Sequence, residues 1–254
     1  MCNFAASKCY KIEHMNYAII AAGEGSRLAQ EGIREPKPLV KVCHEHLIDR
    51  LIRIFMANEA NRISVICNAL TSEVCRHLQA IKTGGMAGSP VPLDFIVQTT
   101  PSSMHSFYEL SKVMEPGPFV MTTVDTIFKE DEFADYVRAF KAQLAAGFDG
   151  LMGVTDFIDD EKPLYVGTDE AMNVTGFYDD DPGSRCRFIS GGIYGLTSSA
   201  FDTLRNCMER GESRMRNFQR GLVHDGRKLK AYRFSKVMDV DHAADIRKAE
   251  AFIQ

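Results

Sequence analysis

The side chains best suited to chemistry in this sequence are gathered in one short stretch. It reads Ala21-Ala22-Gly23-Glu24-Gly25-Ser26-Arg27-Leu28, and Pro36-Lys37-Pro38-Leu39 follows it. Glycines let a backbone approach a phosphate closely, so that its N–H groups act as donors. Arg27 and Lys37 add two cations that no backbone amide supplies. The chemistry that suits this set is the binding and transfer of phosphate groups. Two common phosphate loops are excluded. A dinucleotide fingerprint needs a third glycine where Leu28 stands, and a P-loop needs a closing Gly-Lys-Ser/Thr that is not here. No Gly-x-Ser-x-Gly elbow is present to supply a nucleophilic serine. His44-x-His46 has the look of a metal pair, but no third ligand lies nearby in sequence, so both are read as surface residues. The basic residues Arg205, Arg210, Arg214, Arg216 and Arg220 are read as helix surface balanced by Glu209 and Glu212.

A phosphate loop of this kind needs a strand before it, because open α/β sheets bind ligands outside the carboxyl ends of their strands. Tyr17-Ala18-Ile19-Ile20-Ala21-Ala22 meets that need as a short apolar run, the pattern of a strand covered on both faces. Leu47, Ile48, Leu51, Ile52 and Phe55 recur at helical spacing. Strand-like segments over 63–67, 94–98, 119–124 and 151–154 alternate with helical ones over 71–81, 106–114 and 131–146. This alternation predicts a three-layer α/β/α sandwich around a mixed, mostly parallel sheet. Segments 163–168 and 172–177 read as an antiparallel pair, and a last strand near 237–240 precedes a helix over about 242–252. No repeat or linker-like stretch interrupts the pattern, so a polar leader over 1–16 and a single domain over 17–254 are expected.

Composition narrows the classes further. Thirty Lys+Arg against 34 Asp+Glu give a net charge of −4, unlike the basic balance of a nucleic-acid binder. Cys2, Cys9, Cys43, Cys67, Cys75, Cys186 and Cys207 are scattered and odd in number, which argues against a disulfide framework or a zinc-ribbon site. No apolar run approaches membrane-spanning length, and the leader lacks a signal-peptide core. A cytoplasmic protein with no nucleic-acid or membrane partner is expected.

Taken together, Ile19-Ile20-Ala21-Ala22-Gly23-x-Gly25-x-Arg27-Leu28 and Pro36-Lys37-Pro38-Leu39 closely resemble the nucleotidyltransferases that activate sugar 1-phosphates. The resemblance runs from Tyr17 to the C-terminus and implies the Rossmann-like fold of nucleotide-diphospho-sugar transferases. It implies a Mg²⁺-dependent in-line attack of a sugar 1-phosphate on the α-phosphate of a nucleoside triphosphate, giving a nucleotide sugar and pyrophosphate. Arg27 and Lys37 correspond to the catalytic cations. Ala21, Ala22, Gly23 and Gly25 correspond to the nucleotide loop, and Gln98 stands where the family places a base contact. Ser103 opens Ser103-Met104-His105-Ser106, which replaces the more usual Gly-Thr-Ala. Asp125 corresponds to one metal carboxylate and Asp239 or Asp241 to the second, while Gly191, Gly192 and Tyr194 match the strand lining the sugar pocket. The resemblance also admits a cytidylyltransferase with a non-sugar phosphate acceptor such as phosphocholine, or a silent nucleotide-sugar-binding regulatory module. It leaves the base, the sugar and the oligomeric state open.

Overall fold

The computed structural model of the chain describes residues 15–159, 162–181 and 186–254. The expected leader lies almost wholly outside the described residues, as do Cys2 and Cys9, whereas Met15 and Asn16 already belong to the first strand. The first half of the chain forms β1 (Met15–Ala21), α1 (Ser26–Gln30), β2 (Lys41–Val42), β3 (Glu45–His46), α2 (Leu47–Ala57), β4 (Ala60–Cys67), α3 (Ser72–Gly84), β5 (Leu93–Val97), α4 (Ser103–Ser111), β6 (Phe119–Thr123) and β7 (Thr126–Ile127). The second half forms α5 (Glu130–Ala145), β8 (Gly150–Thr155), β9 (Tyr165–Thr168), β10 (Val174–Tyr178), β11 (Phe188–Leu196), α6 (Ala200–Glu209), α7 (Met215–His224), β12 (Leu229–Phe234), β13 (Met238–Asp239) and α8 (Ala243–Ile253). No described helix is long and apolar enough to cross a membrane.

The main sheet runs β12-β8-β11-β6-β1-β4-β5, and among these seven strands β11 alone runs against the rest. The β9–β10 hairpin attaches to the N-terminal end of β11 through Phe188 and Ile189. The expected three-layer sandwich with a mixed, mostly parallel sheet is therefore the architecture found.

β1 shows why its sequence is apolar throughout. Tyr17, Ile19 and Ala21 pack with α2, α3, α5 and α8, while Ala18, Ile20 and Ala22 pack with α4, α6 and α7. Strand alternation thus feeds two separate hydrophobic layers rather than one layer and solvent. On the first face Tyr17 stacks on Phe55 with ring centroids 4.3 Å apart, and Phe128 stacks on Phe133 at 4.7 Å. In α2 the apolar positions at helical spacing are all buried, as the periodicity predicts.

Between residues 197 and 234 sequence patterning sets no element bounds beyond reading the arginines of 205–220 as helix surface. Two helices, α6 and α7, stand there, followed by β12, which pairs with β8 in parallel. The arginine-rich stretch on these helices is structural: Arg216 and Arg220 both bind Asp179, and Arg220 donates to the Phe177 carbonyl, bracing α7 against β10.

The two layers are pinned by few buried polar bonds. Tyr136 on α5 is fully buried and donates to the Leu151 carbonyl of β8 at 2.7 Å. Tyr136→Phe is expected to lower the unfolding free energy by about 1 kcal/mol, the usual net value of such a bond. A urea titration at neutral pH checks this, with the slope of the transition unchanged.

Candidate active site

The chain leaves β1 toward β4 on one side and returns from β5 to β6 on the other, so the order reverses between β1 and β6. Ligands of open α/β sheets bind at such a switch point, beyond the strand ends. The loop after β1 and the residues after β6 meet there. Gly25 caps α1 in a left-handed conformation (φ 63°), and a Cβ there would come within 3.1 Å of the Lys37 Cβ. Glycine is required at this position by both conformation and approach. The approach packs the Arg27 turn against the 3₁₀ turn Lys37–Leu39.

Lys37 is the centre of the site. Its side chain is only 10% exposed, and its ammonium donates to Asp125 and, at 2.7 Å, to Asp241 Oδ1. Burial alone would lower the lysine pKa, but the adjacent Asp125 and Asp241 carboxylates overcome this and hold it above its ordinary value. Arg27, more than half exposed, donates to Asp241 Oδ2 at 2.8 Å. Asp125 Oδ1 is buried and has no hydrogen-bond partner.

A short backbone ladder brings these carboxylates together from 114 residues apart in sequence, counting Asp125 to Asp239. β13 pairs with β7, Asp239 opposite Thr126 and Met238 opposite Ile127, and the Val240 amide donates to the Asp125 carbonyl. Asp239 is exposed on the cleft wall, with its carboxyl close to protein on the side of Asp125 and Thr126. That desolvation, together with the Asp125 and Asp241 charges, pushes its pKa up to about 8. The α8 cap carboxylate is Asp245, which accepts from the Asp241 and His242 amides, so neither Asp239 nor Asp241 is spent on capping. Glu31, at the end of α1, accepts from His242 and from the Ala243 amide and so ties α1 to α8.

Two connected cavities open from this charge cluster. The larger, about 650 Å³, is lined by Ala22, Gly23, Gly25, Ser103 and Asp125 among others. The smaller, about 370 Å³, is lined by Thr155, Phe157, Asp159, Ser190, Gly191 and Lys248 among others. Arg27, Asp239 and Asp241 line both, and Lys37 lines the larger. Four residues singled out from sequence lie outside both linings. Ala21 is in the core, and Gln98 is exposed with its amide bonded to the Cys67 carbonyl. Gly192 (φ 69°) forms a bulge with Gly191 that shifts the β11–β8 register between Ser190 and Ile193. Tyr194, beyond the bulge, is buried and its hydroxyl accepts from Gln219 at 3.3 Å.

Sequence reasoning missed Asn68. It is buried at the end of β4, donates to the Ala22 carbonyl at 3.0 Å, and accepts from Thr99 Oγ1 and the Leu70 amide. A polar residue directly after an apolar strand was the available signal, the same one that marks Asp125. Ser102 caps α4, so the helix starts three residues earlier than the 106–114 its periodicity suggests.

A model of the nucleotidyl transferase family matches residues 17–254. The chain belongs to that family. It is a family of enzymes, and a curated relative is named as one: a 2-aminoethylphosphonate cytidylyltransferase from Lancefieldella rimae, 25% identical over 169 residues. That match covers 64% of this chain and 65% of the relative's length. Among solved structures, one from Bacillus anthracis assigned as a glucose-1-phosphate thymidylyltransferase, in complex with a sucrose, superposes with a TM-score of 0.79. It is 18% identical, with 94% of each chain covered. The inositol-1-phosphate CTP transferase from T. maritima gives a TM-score of 0.67 at 18% identity, covering 94% of this chain and 98% of that one. At these identities the structures establish the shared fold, and family membership rests on the sequence model.

The raised pKa of Asp239 has a stability consequence. A carboxyl whose folded pKa exceeds its unfolded value near 4 destabilises the fold progressively as pH rises through the window from about 4 to about 8. In chelator-treated protein, Asp239→Asn is therefore expected to raise Tm at pH 8, with the gain vanishing near pH 4. Calorimetry at both pH values checks it; an unchanged or lower Tm at pH 8 would contradict the charge repulsion described here.

Proposed function

We propose that this chain joins a nucleoside triphosphate to the phosphate or phosphonate group of a small acceptor, releasing pyrophosphate. The observation that carries the reading is the meeting of two cavities on one set of charges: Arg27, Asp239 and Asp241 border both. The larger cavity lies along the glycine loop and suits the triphosphate, whose oxygens take backbone N–H donors. The smaller one then receives the acceptor, on the opposite side of the α-phosphorus.

In this reading an acceptor oxygen attacks the α-phosphorus, the new P–O bond forms, and the bond to the β-phosphate breaks in line. The obstacle is charge, so positioning and electrostatics do the catalysis. Arg27, exposed and held by one carboxylate, is free to turn onto the departing pyrophosphate. Lys37, fixed and charged, faces the α-phosphate. No protein nucleophile is needed.

The carboxylates also fit a Mg²⁺ ion, which prefers oxygen ligands and takes one or two from protein. The buried, partnerless Oδ1 of Asp125 is an acceptor in want of a cation. Both Asp241 oxygens are taken by Arg27 and Lys37, which favours Asp239 as the second ligand. When bound, the ion supplies positive charge against the phosphate oxygens.

For the acceptor, a sugar 1-phosphate follows from the family resemblance, and Thr155, Ser190 and Asp159 offer partners for hydroxyl groups. A second reading, CTP with an ammonium-bearing phosphonate or phosphate, is favoured by the curated relative and by a specific feature of the small cavity. Lys236 sits 4.2 Å from the Phe157 ring centre, and Lys248 pairs with Asp159 at 3.0 Å. The chain's own ammonium groups thus occupy an aromatic face and a carboxylate of the sort that recognises a cationic ligand.

Pyrophosphate release, measured with four triphosphates against sugar 1-phosphates, phosphocholine and 2-aminoethylphosphonate in Mg²⁺, tests both readings. One productive pair is expected, and Asp125→Ala should lower its kcat by about 10²–10³-fold, the scale of losing one preorganised electrostatic group. Near-normal turnover in that variant would remove Asp125 from the chemistry. Binding of nucleotide without turnover by any pair would instead favour a regulatory module.

A further inference from the structure

On the face of the sheet that carries α2 and α3, away from the charge cluster, three ligand-type side chains converge. His46, the residue that caps α2, donates from Nδ1 to Asp49 Oδ2 at 2.9 Å. His77, on α3, reaches the other oxygen of the same carboxylate, Nε2 to Oδ1 at 2.5 Å. The two imidazoles meet edge to face, with centroids 5.1 Å apart and planes at 87°. One ligand atom from each of the three lies within 4.8 Å of the others, and this is the one such group of three His, Cys, Asp or Glu among the described residues.

The local backbone explains how the group forms. Cys43 and His44 both take positive φ (50° and 67°) in the two-residue turn of the β2–β3 hairpin. Positive φ at both central residues is the mark of a type I′ turn. The turn separates His44 from His46, so the pair adjacent in sequence does not act together. The register instead delivers His46 to the first turn of α2, three residues before Asp49, where i and i+3 side chains are neighbours. The third member comes from α3, 31 residues beyond His46, which is why sequence spacing could not show it.

We propose that His46, Asp49 and His77 form a binding site for a late first-row divalent cation of the zinc type, which clips α2 to α3. Two imidazole nitrogens and one carboxylate oxygen select zinc-type ions over Mg²⁺, which favours all-oxygen shells. A tetrahedral ion with bonds of about 2.0–2.1 Å needs ligand atoms roughly 3.4 Å apart, a spacing these three atoms reach by small side-chain shifts. All three side chains keep between 18% and 27% of their surface exposed, leaving the ion a path in and a water for its fourth position. Binding replaces the ring hydrogen bonds to Asp49: a neutral ring keeps its single proton on the nitrogen away from the ion, and a ring that is charged beforehand releases one proton to solvent. The site is separate from the three carboxylates around Lys37 and does not depend on the proposed transferase activity.

Chelator-treated full-length protein titrated with Co²⁺ and then Zn²⁺ tests the proposal. One Co²⁺ per chain is expected to give the visible absorption of a nitrogen-bearing low-coordinate site, and Zn²⁺ should displace it and raise Tm by several degrees. His77→Gln and, independently on the other element, His46→Gln should each weaken Co²⁺ binding at least tenfold and abolish the Tm gain. Asp125→Asn should leave the Co²⁺ spectrum intact. Histidine side-chain NMR of the wild-type protein, which needs no variant, should show the His46 and His77 rings shifting together on Zn²⁺ addition. No Co²⁺ absorption, unchanged affinity in either histidine variant, or a spectrum lost in Asp125→Asn would overturn it.

Discussion

One buried ammonium organises this molecule's cleft. Lys37 is nearly out of solvent and is shared by two carboxylates far apart in the chain, Asp125 after β6 and Asp241 before α8. Desolvation offsets much of the Coulomb gain in such a cluster, so its contribution to net stability is small, while loss of one partner leaves an uncompensated charge. What the cluster fixes is position. The glycine loop must come within van der Waals distance of Lys37, the β7–β13 ladder must form, and α1 must lie against α8 for the charges to meet.

Most of the surrounding architecture serves that convergence. Two hydrophobic layers, one on each face of β1, hold the central strands so that their carboxyl ends are level at the switch point. Polar side chains then stitch the ends together. Asn68 ties the loop after β1 to the ends of β4 and β5, and Glu31 ties α1 to the first turn of α8. The net charge of −4 does not oppose a polyanionic substrate, since the local field is set by a few placed cations rather than by the total.

Elements with strong periodicity are legible in the sequence: β1, α2 and the strand–helix alternation through β8 follow from apolar spacing. The glycine loop and its two cations, Arg27 and Lys37, stand out because glycine and charge at that spacing have few other uses, and the structure brings them to one cleft. Tertiary pairing is not legible. The family resemblance pairs Asp125 with Asp239 or Asp241, but no spacing or periodicity does, because a two-residue ladder leaves no pattern. Tyr194 falls in the core rather than the cavity because the Gly191–Gly192 bulge shifts the register just ahead of it, and a slip of this kind redirects every later side chain. β12 was missed because its residues alternate Leu229, Lys230, Ala231, Tyr232, Arg233, Phe234 at an edge, a weaker mark than the continuous apolar runs of the centre.

β11 has two halves with different allegiances. Ile193 to Leu196 are bonded to β6 on one side and β8 on the other, whereas Phe188 and Ile189 exchange β6 for the β9–β10 hairpin. The two glycines between them form the joint, and the first of them, Gly191, lines the smaller cavity. The hairpin therefore pairs with β11 ahead of the joint, and β6, the strand that leads into Asp125, pairs with it beyond the joint. A fold divided in this way lets one end of β11 follow the hairpin while its other end stays locked to the strand that leads into Asp125.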